Sequence, residues 1–249
     1  MDPVVLYTVR NSVAEIELNR RDSKNALDAS MYMLLAETLG KAERDPEVRV
    51  LLIRGQEDMF CAGNDLKDFA DETGPGTKPA LALMDAVQSL KKPLIAAVAG
   101  PAVGIGTTLL YHCDVVYAAE NARFGMPFVA LGVCPEFGSS RLAPLSAGYR
   151  TAAEAILFAE QFDADYAVRA GIVSRIVPAL ELLGYARARA EKLASMPRAA
   201  VLESKKLLKN HSFRDMPAVF REELAVFDAL LESDDARRSI AAFLNRKKS

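Results

Sequence analysis

The sequence is short of the residues on which several kinds of chemistry depend. It has three cysteines, Cys61, Cys113 and Cys134, an odd number with no paired spacing. Neither a disulfide framework nor a cysteine-based zinc site is therefore expected, and a reducing compartment follows. Histidine occurs twice, at His112 and His211, which weakens any mechanism that needs a histidine-supported nucleophile or a histidine-rich metal centre. An excess of one charge is also missing. Lys and Arg number 31 against 33 for Asp and Glu, a net charge of −2, which argues against a surface that coats nucleic acid. The longest uncharged apolar stretch, residues 93–103, is interrupted by Gly100-Pro101 and is too short to cross a bilayer. Residues 1–7 have neither the basic flank nor the apolar run of a signal peptide, and Lys247-Lys248-Ser249 is not a peroxisomal address of the S-K-L type. These absences set the expectation of a cytoplasmic protein with no nucleic-acid, membrane or metal partner.

The chain has 249 residues, 51% hydrophobic and 26% charged, which suits one sizeable domain, or a domain with a helical appendage. Residues 4–10 and 13–18 alternate and flank Asn11-Ser12, so they predict a β-hairpin. Leu27, Met31, Leu34, Leu35, Leu39 and Ala42 follow helical spacing. Largely apolar runs at 48–53, 94–98 and 115–118 predict buried strands, and their alternation with helical patterns and glycine-rich connections predicts an α/β fold. Beyond about residue 145 strand signals almost vanish, and 179–193, 199–208, 218–231 and 237–244 predict helices. The expected division is an α/β core over 1–192 and a helical region over 193–249.

Three segments could carry chemistry. In Phe60-Cys61-Ala62-Gly63-Asn64-Asp65-Leu66, small residues after a strand let backbone approach a ligand, with N–H groups of a following helix start facing an anion; an ordinary turn fits the same residues. In residues 99–110 a strand runs into Gly100, Gly104 and Gly106 and then a helix. The dinucleotide and P-loop patterns both fail there, which leaves either a helix N-terminus with open N–H groups or a tight helix-to-strand approach. In residues 132–140, Glu136 lies among Cys134, Pro135 and Phe137. It is either a desolvated carboxylate whose proton affinity suits a base near neutral pH or a cap for a helix beginning at Gly138-Ser139-Ser140.

Together and in this order, these segments resemble the crotonase (enoyl-CoA hydratase/isomerase) family. The resemblance runs through Leu18-Asn19-Arg20, Asn25-Ala26-Leu27, Ala62-Gly63-Asn64-Asp65, Gly100-Pro101-Ala102-Val103-Gly104, Cys113-Asp114, residues 122–127 and Leu131-Gly132, to Phe243 and the basic tail, and so covers nearly the whole chain. It implies a spiral of ββα turns with C-terminal helices that mediate trimer formation, as a homotrimer or a dimer of trimers. It implies an acyl-CoA substrate, with coenzyme A arriving as part of that substrate and no separate cofactor. The thioester oxygen would lie between the backbone N–H groups of Asn64 and Ile105. Coenzyme A contacts would fall on Ser23, Lys24, Ala26, Asp65, Leu66 and Lys67, with Phe243 and Arg246 reaching a neighbouring subunit's nucleotide.

Hydratases of this family use two glutamates, and at their positions this chain has Thr108 and Phe128; neither side chain can act as a base at neutral pH. Glu136 instead stands where peroxisomal-type Δ3,Δ2-enoyl-CoA isomerases carry a single catalytic glutamate. The resemblance therefore implies a 3-enoyl-CoA to 2-enoyl-CoA isomerase, with Phe128 and Thr108 in the acyl pocket. A related isomerase or hydratase of a cyclic or branched acyl-CoA, and a non-catalytic acyl-CoA-binding scaffold, remain as alternatives. His112 and Asp114 read as structural, and Cys61 and Cys134 as small buried thiols.

Overall fold

Alternation at the N-terminus produces the hairpin that starts the fold. Strands β1 (Val5–Arg10) and β2 (Val13–Leu18) pair antiparallel across a turn in which Asn11 and Ser12 both take positive φ. The chain is described by a computed structural model that covers residues 3–70 and 77–246. Helix α1 (Ala29–Arg44) follows, with the Asp28 carboxylate accepting from Met31 N as its N-cap. It starts two residues after Leu27, because Leu27 is held in a parallel bridge with Asn64.

Strands β3 (Val50–Arg54), β4 (Leu94–Val98) and β6 (Val115–Ala119) then add to β2 in parallel, as does β9 (Arg175–Val177) at the far edge, giving the order β1-β2-β3-β4-β6-β9. These strands are continuous apolar runs because both faces are covered. Leu51, Ile53, Leu94, Ala96, Val116 and Ala118 point into the main core. Their alternates Val50, Leu52, Ile95, Ala97, Tyr117 and Ala119 meet helix α8 (Leu182–Ala194) through Leu182, Ala186, Ala190 and Ala194. A second sheet stacks β5 (Pro101–Val103), β7 (Arg123–Gly125) and β8 (Gln161–Asp163).

Between the sheets and the C-terminal helices lie α2 (Leu66–Ala70), α3 (Lys78–Gln88), α4 (Ile105–Thr108), the 3-10 turn Leu109–His112, α5 (Ser139–Ala147), α6 (Tyr149–Leu157) and α7 (Ala164–Arg169). The chain ends in α9 (Arg198–Ser212), α10 (Met216–Leu231) and α11 (Asp234–Arg246). The α/β spiral expected from sequence is present. The near absence of strands after residue 145 is not: β8 and β9 lie there, each three residues long and too short to show a period of two. Helix α8 runs through the 192/193 position. Among the described residues no helix is long and apolar enough to cross a membrane.

Ion pairs fix the frame. Asp114 Oδ2 accepts from Leu94 N and from Lys205 Nζ, both at 2.7 Å, and Lys205 also donates to Lys92 O at 2.7 Å, which ties α9 to the edge of β4. Asp114 is structural, as the sequence reading had it.

Candidate active site

Two glycine loops meet at the start of the site. Cys61 and Ala102 form a parallel bridge, with Cys61 N donating to Pro101 O at 3.1 Å and Val103 N to Cys61 O at 2.9 Å. Gly63 has φ +91 and Gly104 φ +56. A Cβ on Gly63 would lie 2.8 Å from Val103 O, and one on Gly106 would lie 2.7 Å from Cys61 O, so the two loops reach this separation only with glycine at those positions. Beside them, Asn64 bridges Leu27 through its neighbours: Leu27 N donates to Gly63 O and Asp65 N to Leu27 O. The Asn64 N–H therefore points away from that pairing, and Ile105 is the first residue of α4. Among the described residues neither N–H has an acceptor. Each is an orphan donor beside the other loop.

The loop after β7 brings Glu136 to this place. Its side chain is 3% exposed, and Oε1 accepts from the Thr108 hydroxyl at 2.6 Å. Burial pushes the Glu136 carboxyl up to about 8; the Thr108 hydrogen bond pulls against that, and the nearby Glu223 carboxylate adds to it. Phe137, at φ +57, is held from the other side: its carbonyl lies 2.7 Å from His112 Nε2, and the two rings stack at 4.1 Å. Burial depresses His112 to about 3, so it is a neutral ring whose Nε2–H donates to that carbonyl. Thr108 and His112, one helical turn apart, thus grip consecutive residues of the loop.

Glu136 does not cap α5. That task falls to Glu223 of α10, whose Oε2 accepts from Gly138 N at 2.6 Å and Oε1 from Ser140 N at 2.9 Å. Glu223 interrupts an otherwise apolar face, Met216, Phe220 and Phe227. A lone acid at that 4-3-4 spacing is the sequence signal by which it could have been found.

Glu136 opens on a cleft lined by Leu27, Tyr32, Asn64, Pro79, Met84, Leu224 and Phe227, among others. Tyr32, buried on α1, donates its hydroxyl to Asn64 Oδ1; Tyr32, Met84, Leu224 and Phe227 were not singled out from the sequence, since each is one apolar residue on an amphipathic helix. Phe128 is buried in the cluster that holds Phe227, Met126 and Ile156, and is not among the residues that line the cleft.

The residues assigned to coenzyme A are partly gathered. Ser23, Lys24 and Ala26 surround the double left-handed turn at Lys24 and Asn25. Asn25 is fully buried; its Oδ1 accepts from Arg20 N, and its Nδ2 donates to Gln56 Oε1 at 2.8 Å and Phe60 O at 3.0 Å. Ala62 N donates to Lys24 O, which sets this turn against the first glycine loop. Asp65 lines the cleft, with its carboxylate tied to Arg20 at 2.9 Å. Leu66 and Lys67 begin α2, Leu66 half-buried and Lys67 exposed. Phe243 lies on α11, which packs against α2, and is not itself among the residues that line the cleft; the Arg246 side chain lies outside the described residues. Cys61 is a buried thiol pushed up to about 12 by burial, while Cys134 is half-buried and raised to about 11.

A family model described as enoyl-CoA hydratase/isomerase matches residues 8–249. The chain is 35% identical over 247 residues to the 2,3-dehydroadipyl-CoA hydratase of Escherichia coli, covering 98% of this chain and 96% of that protein. It is 33% identical over 250 residues to enoyl-CoA delta isomerase 2 of Rattus norvegicus, covering 98% of this chain and 64% of that one. Among solved structures, an enoyl-CoA hydratase/isomerase from Pseudoalteromonas atlantica superposes with a TM-score of 0.92 at 35% identity, covering 98% of each chain. Pseudomonas aeruginosa OdaA superposes with a TM-score of 0.93 at 38% identity, covering 97% of this chain and 99% of that one.

Proposed function

The chain belongs to the enoyl-CoA hydratase/isomerase (crotonase) family, and from that premise we propose that it is a 3-enoyl-CoA to 2-enoyl-CoA isomerase with Glu136 as its single base. The observation that carries this reading is the buried Glu136 carboxylate, bonded to Thr108 and raised to about 8, beside two backbone N–H groups that have no acceptor among the described residues.

The thioester oxygen binds between Asn64 N–H and Ile105 N–H. Glu136 removes a proton from C2; the electron pair of that C–H bond forms the C1=C2 bond of the dienolate as the carbonyl π pair moves to oxygen, with C3=C4 still in place. Negative charge collects on the thioester oxygen, where fixed donors stabilise it without reorganising. The Glu136 acid then returns the proton to C4 as the thioester carbonyl re-forms, so the double bond moves from C3–C4 to C2–C3. Atoms balance without water or cofactor. Coenzyme A lies along the turn at Ser23, Lys24 and Ala26 and the start of α2, and the assembly is a trimer or a dimer of trimers whose C-terminal helices touch neighbouring subunits.

A second reading, hydration of a 2-enoyl-CoA, is favoured by the name of the Escherichia coli relative. Hydration in this family uses two carboxylates, and here Thr108 occupies one of those positions with its hydroxyl committed to Glu136. Purified protein assayed on a 3-enoyl-CoA and on a 2-enoyl-CoA separates the two. The proposal expects isomerisation that collapses in Glu136→Gln and negligible hydration. Hydration as the dominant activity refutes it; turnover of neither substrate leaves a cyclic or branched acyl-CoA, or a binding scaffold, as the better account.

A further inference from the structure

The buried face of α10 is built against the loop that carries Glu136. At Gly138, φ +73, an added Cβ would lie 2.7 Å from Met216 Sδ and 3.0 Å from Phe220 Cε1, and the Phe137 and Phe220 rings sit 5.6 Å apart. One turn further, Glu223 is 6% exposed and places both carboxylate oxygens on the first N–H groups of α5, those of Gly138 and Ser140. Helix α5 has nine residues and begins three positions after Glu136. The positive end of a helix lowers the cost of a nearby anion, so an uncapped α5 would stabilise the Glu136 carboxylate and make it a poorer base.

We propose that Glu223 is the positioning residue for Glu136: its charge fills the N-terminus of α5, fixes the 136–140 loop, and denies Glu136 the stabilising field of that helix. This rests on the reading of Glu136 as the base. The titratable groups that act on Glu136 or are acted on by it are Glu223 from α10, Tyr32 from α1, Cys61 from the first glycine loop and Cys134 from its own loop. None of these is a cation. Glu223 in turn is raised by burial and by Glu222, against the pull of its hydrogen bonds from Gly138 and Ser140. The inference also gives the C-terminal helices a part in the reaction, since the same helix supplies Leu224 and Phe227 to the cleft.

The test compares Glu223→Gln and Glu223→Met, which remove the charge, with Glu223→Asp, which keeps it. Ionisation of Glu136 is followed by the protonated-carboxyl infrared band that is lost in Glu136→Gln, and kcat/KM is followed against pH. In the neutral variants the Glu136 titration and the acid limb of kcat/KM should both move to lower pH. Each should then retain a several-fold larger share of its own plateau rate at pH 6 than wild type does. Glu223→Asp should keep the wild-type midpoint. Two neutral side chains are used because the amide of Gln can turn its NH2 against Gly138 N–H and unfold the loop; thermal unfolding identifies whichever variant is folded. An unmoved Glu136 band in a folded neutral variant, or an equal shift in Glu223→Asp, overturns the proposal. The infrared measurement reads Glu136 whether or not it is the base, whereas loss of the base reading would show separately as full turnover in Glu136→Gln.

Discussion

The Thr108 hydroxyl and the Glu136 carboxylate form a hydrogen bond of 2.6 Å between two buried side chains. Thr108 stands at the end of the short helix that begins at Ile105, whose N–H has no acceptor among the described residues. In the proposed mechanism, one helical turn therefore offers a donor to the substrate oxygen and another to the base. A hydroxyl here favours the ionised carboxylate while burial disfavours it, and burial wins, leaving Glu136 at about 8.

The first consequence is a pH profile. The working form of Glu136 is the carboxylate, so kcat/KM rises with pH through about 8 and then levels off. In Thr108→Val the acid limb moves to higher pH, because the bond that favours ionisation is gone; Thr108→Ser restores it. An acid limb near pH 4.5 in wild type would show that burial does not govern this group.

Stability carries the opposite sign. A carboxyl at 4.5 in the unfolded chain and about 8 in the folded one stabilises the fold fully below pH 4.5. That contribution is lost as pH rises through 8. Gln mimics the protonated acid. Glu136→Gln should therefore unfold at a higher temperature than wild type at pH 9, with the difference shrinking towards pH 5. Calorimetry at the two pH values checks it, and a variant less stable than wild type at pH 9 contradicts it.

Gly63→Ala tests the donor pair. At φ +91, with Val103 O 2.8 Å from the added Cβ, the loop must shift and carry Asn64 N–H with it. Stability should fall by about 1–3 kcal/mol, and kcat/KM by a factor on the order of 10²–10³. Denaturant unfolding and steady-state kinetics measure both; unchanged kcat/KM would remove Asn64 N–H from the mechanism.

Far from the cleft, Lys205→Met leaves Asp114 without its partner in the contact between α9 and β4. Breaking such a pair costs about 3 kcal/mol, with KM unchanged. The double variant with Asp114→Asn should regain part of that loss. Equal losses in the single and double variants, read by urea unfolding, would show that the pair is not what stabilises this contact.

Much of this was legible because it is periodic or compositional. The apolar runs at β3, β4 and β6 announce strands buried on both faces, and Gly63, Gly104 and Gly106 announce backbone brought close. The three-residue strands β8 and β9 were not, since they are defined by their partners β7 and β6 and have no pattern of their own. Glu136 was identified while its two roles, base or cap, stayed open. The capping carboxylate comes from Glu223, 87 positions further along, and a contact across that distance is set by tertiary packing. Phe128 was placed on the acyl wall through resemblance, yet Phe227 of the C-terminal region lines the cleft, with Phe128 in the cluster behind it.

The central claim is that one buried carboxylate carries a proton from C2 to C4. A 3-enoyl-CoA deuterated at C2, turned over in ordinary water and analysed by mass spectrometry and NMR, tests it most directly. The account predicts 2-enoyl product with deuterium delivered to C4, because Glu136 is buried and the bound acyl chain fills the cleft on which it opens. Product carrying only solvent hydrogen at C4, at all extents of reaction, would contradict a single shielded base.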